Sequence, residues 1–97
     1  MDAVEESKLD DDARYGAVRE LAYAGAYDRA LGILASFDNQ DDDRRLTYMG
    51  FVNRKMGNVD EGMRWYNAAL SANPDNLLAR SYMGQALVLQ GDRIGAQ

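Results

Sequence analysis

The chain has 97 residues, 46% of them hydrophobic, and a formal net charge of −5. That length allows one domain, and the acidic balance repels the phosphate backbone of nucleic acids. With no cysteine and no histidine, disulfides, thiol nucleophiles and the commonest general base and metal ligand are excluded.

In chain order, residues 1–10 are polar and acidic and are expected to form a disordered or frayed lead-in. Asp10-Asp11-Asp12 precedes a helical stretch that carries Tyr15, Val18, Leu21 and Ala22. Ala24-Gly25-Ala26 interrupts it, and Tyr27, Ala30 and Leu31 resume a helical pattern. A shortened connection is expected around Asp38-Asn39-Gln40, followed by a second acidic run, Asp41-Asp42-Asp43. Neither run has the alternating oxygen ligands, turn glycine and late glutamate of a calcium loop. Both are expected to cap helix starts instead.

Arg45 to Asn76 is the most regular stretch. Leu46, Met49, Gly50, Asn53 and Met56 share one helical face. Gly57-Asn58 breaks the pattern, Val59, Met63, Tyr66, Ala69 and Leu70 resume it, and Asn73-Pro74 stops it. Gly50 and Gly62 each cost a helix about 1 kcal/mol against alanine, which makes sense where another helix comes close. Gly84 is expected to mark a second such approach. The following helix has Ala79, Met83, Ala86 and Leu87 on one face, and Gln90-Gly91-Asp92 is expected to turn it. Its partner helix is truncated at Gln97, which leaves that apolar face open.

The chain repeats itself. Tyr82-Met83-Gly84 matches Tyr48-Met49-Gly50, and Gln90-Gly91-Asp92 matches Met56-Gly57-Asn58, both at an offset of 34 residues. The turn at Gly25 lies 32 residues before Gly57. With Leu46, Met49, Gly50, Gly62, Tyr66, Ala69 and Pro74 on the signature sites, the central copy resembles the tetratricopeptide repeat. Leu46 stands for the usual Trp, Asn53 for Tyr and Gly62 for Ala. The third copy keeps Met83, Gly84 and Ala96; the first keeps Gly25, Tyr27, Ala30 and Leu31 but lacks the proline. The resemblance implies an all-α fold of antiparallel helix-turn-helix repeats stacked in a right-handed superhelix. About two and a half repeats are present, near 11–40, 43–76 and 77–97.

No enzyme is expected. No serine has a base supplied by a recognisable motif, and no phosphate-cradling or metalloprotease motif occurs. No cofactor, metal or membrane insertion is expected, since no apolar run approaches a spanning length. By resemblance to tetratricopeptide-repeat peptide binders, the first helix of each repeat lines a concave groove. Its residues are Tyr15, Arg19, Ala22 and Tyr23, then Arg44, Thr47, Phe51, Arg54 and Lys55, then Leu78, Ser81, Tyr82, Gln85, Val88 and Leu89. That strip suits a protein or peptide with acidic groups and an apolar anchor. Arg54 and Lys55 are equally readable as solvated charges favoured by a helix C-terminus, and Phe51 as a contact to the adjacent repeat. The Lys–Asn set of the family's carboxylate clamp is not found. Self-assembly through the open third repeat, or service as an accessory domain of a larger enzyme or assembly machine, are the alternatives. The resemblance extends to small repeat proteins of Gram-negative bacteria, many of them exported, which leaves periplasm and cytoplasm both open.

Overall fold

Two glycines set the course of the chain. Gly25 and Gly57 have φ of +80° and +96°, a left-handed region that L side chains enter only at a cost. At each, the glycine N–H bonds the carbonyl three residues back and the next N–H bonds the carbonyl five back. The pairs are Gly25 to Ala22 with Ala26 to Leu21, and Gly57 to Arg54 with Asn58 to Asn53, at 2.8–3.1 Å. This doubly bonded helix end satisfies carbonyls that would otherwise be orphaned, and it reverses the chain.

The computed structural model describes residues 3–95, with side chains over residues 10–91. Those residues form five helices: α1 (Ala3–Tyr23), α2 (Tyr27–Ala35), α3 (Asp43–Lys55), α4 (Val59–Ala72) and α5 (Leu77–Gly95). α1 packs on α2 and α3 on α4; α3 also touches α1, α2 and α5, and α5 packs on α4. The fold is all-α and repeat-like. Its radius of gyration is 14.1 Å and its extents are 54 × 29 × 18 Å. A compact chain of this length would have a radius near 12.5 Å, so the stack is elongated.

α3 and α4 meet backbone to backbone. A Cβ on Gly50 would lie 2.5 Å from Tyr66 Cε1 and 2.9 Å from the Gly62 carbonyl oxygen; one on Gly62 would lie 2.9 Å from the Gly50 oxygen. Both glycines are required by this contact. Between the repeats runs an aromatic ladder, Phe37–Tyr15–Tyr48–Phe51–Tyr82, with centroid separations of 4.5, 4.7, 6.4 and 5.0 Å. Such pairs add about 0.5–1.5 kcal/mol each beyond the area they bury.

Several expectations are corrected. The lead-in is helical from Ala3, so Asp10-Asp11-Asp12 lies within α1 rather than at its start. The second acidic run does cap: Asp42 accepts from the Arg44 and Arg45 backbone N–H groups at 2.9 and 3.4 Å. The shortening in the first repeat lies in its second helix, not in the connection. α2 has 9 residues against 14 in α4, and the segment after it, 36–42, is longer than 73–76. Arg45 explains how so short a helix ends. Its buried guanidinium donates to the Leu34 and Gln40 carbonyls, both at 2.9 Å.

The third repeat departs most. Gly91 does not turn, and α5 runs through it to Gly95. Gly84 faces open space instead of a helix. Ala79 and Ala86, expected on an open face, are buried, Ala79 in a cluster with Leu46 and Ala69 of the second repeat. Positions 1–2 and 96–97, which include Ala96, lie outside the described residues.

Candidate functional site

A polar knot positions α5 relative to α3. The Asn76 side chain caps α5 by accepting from the Ala79 N–H at 2.8 Å, and its amide donates to Asp43 Oδ2 at 2.7 Å and Thr47 Oγ1 at 3.0 Å. Asn73 donates to the same Asp43 oxygen at 3.2 Å. The turn between α4 and α5 is thereby tied to the first turn of α3. The Asn-Pro stop reads from the sequence; that its asparagines reach Asp43, some thirty residues away, does not.

With α3 and α5 so held, a recess of about 700 Å³ opens over α3. Tyr23 of α1 forms one wall, Arg54 and Lys55 of α3 the floor, and Gly84, Gln85, Val88 and Leu89 of α5 the other wall. Six expected groove residues therefore come together: Tyr23, Arg54, Lys55, Gln85, Val88 and Leu89. Gly84, whose missing side chain widens this wall, was expected to pack against a helix.

The floor is cationic on an aromatic base. Lys55 Nζ lies 4.8 Å from the Tyr23 ring centre and 5.6 Å from that of Phe51. The Arg54 guanidinium carbon lies 5.7 Å from the Phe51 centre and 5.8 Å from that of Tyr82. Rings at this range hold a cation in place without neutralising it. Arg54 Nη1 reaches Gln85 Oε1 at 3.4 Å, while its buried Nε meets no acceptor. Beneath it the Tyr66 hydroxyl is also buried without a hydrogen-bond partner. Burial pushes that hydroxyl up to about 12, against a smaller opposing pull from Arg54. Burial also raises Tyr82.

The other expected groove residues sit elsewhere. Phe51 is buried under the cations, where it joins α3 to Tyr23 and Tyr82, so it is a contact between repeats and not open surface. Tyr82 is half-buried in that ladder. Arg19 is exposed on α1 but does not line the recess. Tyr15 is buried, and Arg44 lies over its ring at 4.5 Å while pairing with Asp12. Tyr15 and Arg44 line a second recess of about 680 Å³ at the far end, rich in aspartates. There Arg14 pairs with Asp11 and covers Phe37, so the cations of that end are already engaged. By contrast, Arg19, Arg54 and Lys55 take part in no ion pair among the described residues.

No group of three or more potential metal ligands occurs among the described residues, and none of their helices is long and apolar enough to cross a membrane. No family model, curated protein or solved structure matches the chain.

Proposed function

We propose that this protein is a non-catalytic interaction module of the tetratricopeptide-repeat kind, holding a peptide or protein segment in the recess over α3. One observation carries the reading. In a chain of net charge −5, two cations that make no ion pair among the described residues, Arg54 and Lys55, line a recess whose walls include Tyr23, Val88 and Leu89, all largely exposed. Unpaired cations beside uncovered apolar side chains fit a ligand that brings both a carboxylate and an apolar anchor. An acidic residue next to a Leu or Phe has that chemistry.

The test is selection from a displayed library of random peptides, followed by fluorescence anisotropy on those enriched. Acidic peptides with a large apolar residue should be selected. Arg54→Glu and Leu89→Asp should each weaken their binding at least about tenfold, a loss of 1.4 kcal/mol. Arg64→Glu, on the exposed face of α4, should leave it intact. Enrichment of basic peptides, or loss of binding only in Arg64→Glu, rejects the recess as the site.

A further inference from the structure

Two glycines seat the side chains beneath the recess. A Cβ on Gly50 would touch the Tyr66 ring at 2.5 Å, and one on Gly62 would lie 3.3 Å from the Arg54 Cβ. With no side chain at either position, the Tyr66 ring packs on α3 and the Arg54 stem packs on α4. Gly62 and Tyr66 are four positions apart on α4 and share a face, so the guanidinium lies next to the phenol. Two polar groups there have no hydrogen-bond partner: Arg54 Nε–H and the hydroxyl of Tyr66, a residue that is fully buried. A buried donor that makes no hydrogen bond has lost its water and gained nothing in return. Arg54 Nη1 does reach Gln85 Oε1 on α5, but at 3.4 Å, longer than the usual range for such a bond. A guanidinium is a rigid plane, so the direction that brings Nη1 to Gln85 also sets where Nε points.

We propose that Tyr66 positions Arg54 for the ligand, and that the recess selects a carboxylate able to bridge both terminal nitrogens of that guanidinium. The inference rests on the recess being the peptide site. A carboxylate on the outer edge bonds Nη1 and Nη2 in parallel, the strongest geometry an arginine offers. Nη1 then leaves Gln85, and the plane turns so that Nε–H donates to the Tyr66 oxygen. One long bond to Gln85 is exchanged for two charge-assisted bonds to the ligand, and the two unpartnered buried groups become partners. Tyr66 stays buried and touches no ligand; its hydroxyl fixes the direction of the fork. Lys55, a point charge on a flexible stem, adds attraction without direction. A carboxylate offers two equivalent acceptor oxygens, whereas a carboxamide offers one and turns N–H donors toward the cation. Asn and Gln therefore do not substitute for Asp and Glu in the ligand.

A double-mutant cycle, read by fluorescence anisotropy with acidic peptides selected on the protein, tests this. Arg54→Lys keeps the charge but has no Nε–H, and should weaken binding about tenfold. Tyr66→Phe keeps the ring against Gly50 and should also weaken binding about tenfold, with helical circular dichroism at neutral pH unchanged. Added to Arg54→Lys, Tyr66→Phe should have no further effect, because no Nε–H is left for the hydroxyl to hold. A Tyr66 that served the fold alone would cost the same in both backgrounds. In the unaltered chain, the Arg54 Nε–H resonance should exchange more slowly with solvent once peptide is bound. Selection of basic peptides removes the recess and this inference together. Three results overturn this inference alone: acidic peptides whose binding falls in Arg54→Glu but not in Tyr66→Phe, an equal loss from Tyr66→Phe in the wild-type and Arg54→Lys backgrounds, or an Arg54 Nε–H whose exchange peptide does not slow.

Discussion

At the scale of the residue, two glycines in the same repeat position have opposite consequences. A methyl group on Gly50 would lie 2.5 Å from a Tyr66 ring carbon and 2.9 Å from a carbonyl oxygen, and the carbonyl cannot yield without moving α4. Gly50→Ala should cost roughly 1–3 kcal/mol through overpacking. Gly84→Ala meets open space and should stabilise the fold by about 0.5–1 kcal/mol through reduced backbone entropy. Urea denaturation of the two variants checks both signs. Tyr66 offers a pH test. Its hydroxyl is pushed up to about 12 in the fold, from 10.0, chiefly by burial. A raised value means that the neutral hydroxyl's contribution is complete below pH 10, the unfolded value. It is lost as pH rises toward 12, because the unfolded chain ionises first. Thermal stability should therefore fall above pH about 10, and Tyr66→Phe should flatten that fall. Ultraviolet absorbance of phenolate should show late-titrating tyrosines that become normal on unfolding.

At the scale of the element, the helix ends decide the repeat. α3 ends because Gly57 supplies the left-handed turn that α4 then exploits by packing back on α3 through Gly62. α5 has a glycine in the same register and no packed helix after it among the described residues, so the turn has nothing to stabilise it. Gly57→Ala should cost about 1–2 kcal/mol, whereas Gly91→Ala, inside a helix, should raise stability by up to about 1 kcal/mol. Helical circular dichroism on melting distinguishes them. α2 ends by another device. Arg45→Met would keep the aliphatic volume but remove the guanidinium donor from both carbonyls, leaving Leu34 only its longer bond from the Phe37 N–H at 3.4 Å. A loss of about 1–3 kcal/mol is expected, read from chemical denaturation. Hydrogen exchange should quicken first in the α2–α3 connection.

At the scale of the whole molecule, the two ends of the helix pairs differ in how their charges are engaged. Asp10, Asp11, Asp38, Asp42 and Asp43 gather where α1, the α2–α3 connection and the start of α3 meet, and the cations there are engaged; Asp28, Asp60 and Glu61 begin α2 and α4 at the other end. Arg54 and Lys55 also lie at that other end and take part in no ion pair among the described residues. A carboxylate ligand would be attracted locally by these two cations, and such attraction weakens as the screening length shrinks to about 8 Å at physiological salt. For a peptide selected on this protein, association should slow with added salt. Arg54→Glu should slow it further and flatten the salt dependence, while Leu89→Ala should mainly speed dissociation, because apolar contact depends on area removed from water. Surface plasmon resonance at low and high salt separates the two.

Much of this architecture is legible in the residues themselves. Helical spacing, the turns at Gly25 and Gly57, the capping Asp42 and the stop at Asn73-Pro74 all depend on interactions within a few positions of the chain. Local rules therefore reach them, and six of the residues expected in a groove do share one recess. What local rules cannot reach is which side of a helix a neighbour covers. Phe51 and Tyr15 carry the same periodic signal as a groove-facing aromatic, yet lie inside because Tyr23, Tyr82 and Phe37 close over them. Gly84 and Gly91 copy the motif of Gly50 and Gly57, yet one faces open space and the other stays helical. A glycine only permits a close approach or a turn; it takes a second packed helix to make either one favourable.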